Sequence, residues 1–184
     1  LMTGCSLAAV YAMAGQPEAG VALVQKGHEQ MRALLGDEAE VVRTLASLRG
    51  YVASEAGDYA QAVEINRLLV AQSEAKPGGP EINDLVDYNN LGNNLRKMGQ
   101  SAEAVQVFDR LLELAGGKLS EDHLHYGLFA GNYGKALIEH GEIDRARPVL
   151  ERACDVVGQH LGAEHPRTQA VCTNPVLTEV RAGG

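Results

Sequence analysis
The sequence predicts an all-α chain built as an α-solenoid of antiparallel helix pairs, on three observations. First, glycines recur at a fixed period: Gly15, Gly57, Gly99 and Gly141 stand 42 residues apart, as do Gly50, Gly92 and Gly134. Ala62, Ala104 and Ala146 keep the same spacing, with Gly20 one period earlier. Such self-similarity marks a repeat architecture. Second, apolar residues flank each break at helical spacing, Tyr88, Leu91, Leu95 and Met98 before Gly99 and Ala104, Val107, Phe108, Leu111 and Leu112 after it. Third, the 184 residues are 45% apolar but only 4% aromatic, without Trp. Ala, Leu and Val therefore dominate, which favours closely packed helices over a β-sandwich.

The repeats run as residues 1–36, 37–78, 79–120 and 121–162, with 163–184 as a closing helix and tail. The first begins inside its first helix. The second leans on Val41, Leu45, Leu48 and Val52; Arg49 stands where Leu91 does in the third, and Asn66 where Phe108 does. Its first helix is therefore expected to be rotated. The third shows the pattern best, and in the fourth Leu137 and Leu150 match Leu95 and Phe108. The breaks inside the pairs are short, so paired helices are antiparallel neighbours. The joints "LLGDEAE", "AKPGGPEI", "AGGKLSED" and "HLGAEHPR" separate one pair from the next and carry helix-start residues. Glu121 and Asp122 suit a helix N-terminus, where the dipole favours acids. After the fourth repeat "RTQAVCTNPVLTEVR" starts another helix. Pro175 inside it would cost about 3 kcal/mol, which predicts a short or kinked cap, and "RAGG" reads as a frayed end.

Tyr88-x2-Leu91-Gly92-x2-Leu95, followed by Ala104-x3-Phe108, resembles the tetratricopeptide pattern W-x2-L-G-x2-Y…A-x3-F. Small Gly92 and Ala104 suit a close helix crossing, and Leu91, Leu95 and Phe108 suit the wedge between the helices. The usual repeat has about 34 residues; the longer period here adds roughly one turn to each helix. That period, "NNLG" before the turn and "LGAEHPRT" between repeats are similar to the kinesin-light-chain type. The resemblance spans the chain. It implies a right-handed superhelix in which the first helices line a concave wall.

Composition excludes several functions. A net charge of −8 without a basic block speaks against nucleic acid and anionic membrane. No apolar run is long enough to span a bilayer. Cys5, Cys154 and Cys172 are odd in number and widely spaced, which reads as neither a disulfide framework nor a zinc cluster. A reducing, cytoplasmic compartment follows, with Cys154 a small buried hydrophobe. "LMTGC" resembles a lipoprotein cleavage box at Cys5 but lacks the charged and long apolar segments of a signal, and it fits a helix instead. The chain does not start with Met, as expected of a piece of a longer protein. Phosphate-loop, G-x-S-x-G and H-E-x-x-H motifs are absent. His123 and His125, like His160 and His165, sit at joints and read as capping or exposed residues. The chain is expected to be non-enzymatic, with no metal and no cofactor.

"YNNLGNNLRKMGQ" carries four asparagines in six residues, although each disfavours a helix by about half a kcal/mol relative to Ala. With Tyr88, Leu91 and Leu95 on one face, Asn89, Asn93 and Lys97 line up on another, beside Asn90, Asn94 and Arg96. The family resemblance turns the positions of Asn90 and Asn93 into the groove, joined by Asn132 and Lys135 from the fourth repeat and by Ser47 or Leu48 with Tyr51 from the second. An Asn side chain both donates and accepts, which suits the alternating groups of an extended peptide. Arg96, Lys97 and Lys135 suit an acidic side chain or terminal carboxylate. The expected function is a scaffold that binds a peptide of a protein partner, with Asn89, Asn90, Asn93, Arg96, Lys97, Asn132, Lys135 and Tyr51 as the contact residues. The competing expectation is a regulatory C-terminal region of a larger bacterial signalling enzyme, a serine/threonine kinase or ATPase. Self-association through exposed end-helices is a further expectation, since terminal repeats need caps.

Overall fold
The computed structural model describes residues 17–36 and 39–177. The expectations attached to Gly15, to Cys5 in "LMTGC" and to the "RAGG" end lie outside the described residues. Regular structure among the described residues is entirely helical. The elements are α1 (Pro17–Leu35), α2 (Glu40–Glu55), α3 (Tyr59–Glu74), a 3-10 turn (Ile82–Asp84), α4 (Leu85–Lys97), α5 (Ser101–Gly116), α6 (Leu124–His140), α7 (Ile143–Leu161) and α8 (Pro166–Cys172). Two compact units divide the chain, residues 1–98 with α1 to α4 and residues 99–184 with α5 to α8. No helix of the described residues is long and apolar enough to cross a membrane.

The glycine period has a backbone cause. Gly57, Gly99 and Gly141 end the first helices at φ 82°, 75° and 89°, in the left-handed region that a Cβ disfavours. At Gly141 the turn closes as a Schellman pair, Glu142 N donating to Leu137 O (2.8 Å) and Gly141 N to Ile138 O (2.9 Å). Gly36 and Gly78, one period apart, and Gly162, two periods further on, have φ of 81°, 92° and 82° at three of the joints between repeats; Ser120 stands at the fourth. Helix starts are capped locally. Asp58 Oδ1 accepts from Gln61 N at 3.0 Å, and His123 and His165 accept from the backbone N–H two residues on, at 3.1 Å each.

Inside the units the helices meet through small residues. Gly50 of α2 faces Asn66 of α3, and Gly134 of α6 faces Leu150 of α7. A Cβ on Gly134 would lie 2.4 Å from Leu150 Cγ, and Leu150 is fully buried. Gly within a helix costs up to about 1 kcal/mol relative to Ala, so the close approach must contribute at least as much. Gly134→Ala is expected to lower stability by about 1–2 kcal/mol, overpacking of about 1–3 kcal/mol less the gain in helix propensity. Gly27→Ala, with nothing within 4 Å of its added Cβ, is expected to be neutral or stabilising. Thermal unfolding of both variants checks this; an unchanged midpoint in Gly134→Ala would contradict the crossing.

The buried faces differ from the expected stripes at several positions. In α2 the buried apolar residues are Val42, Leu45, Val52 and Ala53, whereas Val41 and Leu48 are half-buried. Met98 falls at the C-cap of α4 and is 43% exposed. In α5 Val105 is buried and Val107 half-buried. The closing helix α8 has only seven residues and stops before Pro175, as the restriction on the residue preceding a proline dictates. The cysteine reading needs correction. Cys154 is not a lone buried hydrophobe, because it is half-buried and bridged to Cys172 across 18 residues. The argument for a reducing compartment from unpaired cysteines falls with it.

Candidate functional site
In the unit of residues 1–98, the first helices of the second and third repeats, α2 and α4, meet along a polar seam. At one end Arg43 Nη2 lies 2.8 Å from Asp84 Oδ1 and 2.9 Å from Asp87 Oδ2. Ser47 Oγ donates to Asp87 Oδ1 at 2.7 Å. Lys76 Nζ holds both oxygens of Asp84, at 2.9 and 2.7 Å, and Glu81 N donates to Asp84 at 2.8 Å. Arg43 also donates to Leu69 O of α3 at 3.3 Å. A cleft of about 330 Å³ opens here, edged by Glu40, Thr44, Glu81 and Asn83.

Both aspartates are almost fully buried, yet their titrations move apart. Burial raises the Asp87 pKa, and the Ser47 hydrogen bond and the Arg43 charge only partly oppose it. Burial also works to raise that of Asp84, but the Lys76 and Glu81 hydrogen bonds and the two cations outweigh it, holding Asp84 below its ordinary value. The network is satisfied internally and reads as a clamp between neighbouring repeats. Its contacts between α2 and α4 were not visible within a single helix, because those partners lie about one period apart (Arg43 to Asp87 is 44 residues, Ser47 to Asp87 is 40).

Further along the seam the asparagines separate into two kinds. Asn94 is buried, accepting from Ser54 Oγ at 2.6 Å and donating to Asn66 Oδ1 at 3.2 Å. It does not belong to the outward polar face with Asn90, where helical spacing alone had put it. Asn66, fully buried in the slot that Phe108 fills one period later, creates the need for that partner. Asn89, Asn90, Asn93 and Arg96 are half-buried, and Lys97 is exposed. Tyr51, 37% exposed, lies between Ser47 and Ser54 along α2, as Asn90 lies between Asp87 and Asn94 along α4. The hydrogen bonds on either side therefore set the two at the same level of the seam. Burial, and then the charge of Glu55, raises the Tyr51 pKa.

In the unit of residues 99–184, Asn132 and Lys135 are half-buried on α6. Between them Tyr133 is buried. Its hydroxyl donates to Asp109, and Arg145 donates to Asp109 at 3.0 Å. Burial, and then the Asp109 hydrogen bond, raises the Tyr133 pKa. Among the described residues no three His, Cys, Asp or Glu side chains form a group able to hold a metal ion.

Residues 87–158 match the tetratricopeptide repeat family. No curated protein sequence matches the chain. Among solved structures it is similar to kinesin-light-chain repeats, described as nearly identical and TPR-like, from Podosopora anserina. That likeness has a TM-score of 0.80 at 20% identity, over 99% of this chain and 85% of that one. It is also similar to BtubC (BKLC) from P. vanneervenii, at a TM-score of 0.71 and 15% identity over 90% and 66% of the two chains. A third likeness is to MamA from Desulfovibrio magneticus RS-1, at a TM-score of 0.60 and 16% identity over 98% and 93%. Residues 87–158 therefore carry tetratricopeptide repeats, and the described helix pairs have the helical-repeat fold of those kinesin-light-chain arrays.

Proposed function
We propose that this protein is a non-catalytic scaffold that grips an extended peptide segment of a partner protein along its first helices. Repeats of this family serve generally as protein–protein interaction scaffolds. One observation carries the finer reading: of the four clustered asparagines, only Asn94 is buried. Asn90 and Asn93 stay half-exposed at the edge of the seam, although Asn is a poor helix former. Asn90 and Asn93 grip the peptide backbone, with Asn89 and Tyr51 beside them. Arg96 and Lys97 take an acidic side chain or terminal carboxylate, and on α6 Asn132 and Lys135 repeat the pairing of amide and cation. The net charge of −8 favours a protein partner over nucleic acid.

The test is a displayed library of extended decapeptides selected against the full chain, followed by calorimetric titration of the best binder. Two lost hydrogen bonds of about 0.5–1.5 kcal/mol each predict that Asn90→Ala with Asn93→Ala weakens binding roughly tenfold. The melting temperature is expected to stay within a few degrees. Equal affinity in the double variant, or a library that yields no binder, would overturn the reading.

A further inference from the structure
Repeat two departs from repeat three at two core slots. Tyr88 and Leu91 are buried, at 2% and 4% exposure; one period earlier stand Ala46 and Arg49. Both line an open cleft of about 380 Å³ between α1 and α3, with α2 as its floor. Val42, Ile65 and Leu69 form an apolar wall, and Leu68, 62% exposed, stands at the rim. His28, Arg32 and Arg49 form the polar side, and no Asp or Glu lines the cleft among the described residues.

Arg43 also reaches this cleft, but its charge is matched by Asp84 and Asp87. Arg49 is different. Its Nη1 lies 3.3 Å from His28 Nδ1, and no carboxylate among the described residues pairs with it. A half-buried guanidinium in a leucine slot gives a cleft with one apolar wall a cationic end. We propose that the cleft binds an aliphatic carboxylate. The head sits in the Arg49 fork beside Arg32 and His28, because a guanidinium matches a carboxylate with two parallel hydrogen bonds. The tail lies on Val42, Ile65 and Leu69, where burial drives it out of water. The volume is near the lower end for small-ligand sites, so the tail is short. A free acid and the apolar carboxy-terminal residue of a peptide share this chemistry.

Hexanoate, titrated into the full chain and followed by methyl NMR shifts, is expected to bind at least tenfold more tightly than hexanol or acetate. Arg49→Leu installs the residue that repeat three carries at Leu91. It is expected to keep or raise the melting temperature and to abolish hexanoate binding. Ala46→Phe, which fills the cleft and leaves Arg49 in place, is expected to abolish it as well. N-acetyl-leucine separates the sources: tighter binding than hexanoate indicates a peptide terminus, weaker binding a free acid. The proposal fails if hexanoate does not saturate, if hexanol binds as tightly, or if hexanoate binding survives in either folded variant.

Discussion

Arg43→Met is expected to lower stability at pH 7 by about 3 kcal/mol, the low end of what removing one partner from a buried ion pair costs. Arg43 contacts Asp84 and Asp87 at 2.8 and 2.9 Å, and both carboxylates are at most 5% exposed. Lys76 stays on Asp84, which keeps the loss from rising higher, while Asp87 keeps only the Ser47 hydroxyl. The pH dependence has a definite sign. Asp84 has a lowered pKa, so its contribution is present above the unfolded pKa and is lost as pH falls through the folded one. Asp87 has a raised pKa, so its contribution is full below the unfolded pKa and is lost as pH rises through the folded one. In the parent protein the two partly cancel. Without Arg43 both carboxyls titrate higher and can neutralise, so the deficit is expected to shrink as pH falls from 7 towards 4. Adding Asp87→Asn should recover part of the loss at pH 7, because the unmatched buried charge is gone. Thermal unfolding of the single and double variants at both pH values measures this. A deficit independent of pH would mean that Arg43 acts through packing alone.

The period was legible because it encodes backbone geometry. Only Gly takes φ near +80° without strain, so Gly57, Gly99 and Gly141 mark each turn regardless of what packs nearby. The apolar stripes were less legible, since Val42 and Val105 are the buried members where Val41 and Val107 had been expected. Helical spacing gives a face to within a residue, and packing decides the rest. The asparagine cluster was legible as an anomaly but not as two kinds of residue. Asn94 differs from Asn90 only through Ser54 and Asn66, which lie 40 and 28 residues away. One sign of this stood in the sequence: an Asn at the slot of Phe108 must find a polar partner if the slot is buried. Arg43, at the slot of Leu85, carried the same kind of signal for the Asp84–Asp87 clamp.

Cysteine count misled for a related reason, and the bridge it missed governs the end of the chain. One period before Cys154 and Cys172 stand Leu112, half-buried, and Ala130, buried. Positions of this kind bring a second helix against the next first helix, so a cysteine at each is set to meet. The bridged helix α8 has seven residues, too few to be helical alone, since isolated helices shorter than about 12 residues are marginal. It docks by Val171, whose methyl enters the notch left by Gly131, and by Thr168 near Gly158. Closing a loop of 18 residues removes enough freedom from the undocked state to stabilise it by about 3 kcal/mol. In a repeat array each element leans mainly on its neighbours, so the loss should stay local. Cys154→Ser with Cys172→Ser, or dithiothreitol on the parent, is expected to speed hydrogen exchange across residues 166–173 by roughly 100-fold. Exchange in α5 is expected to hold. Unchanged protection of α8 after reduction would show that Val171 and its notch suffice. Loss throughout α5 to α7 would instead make the bridge a strut of the whole unit.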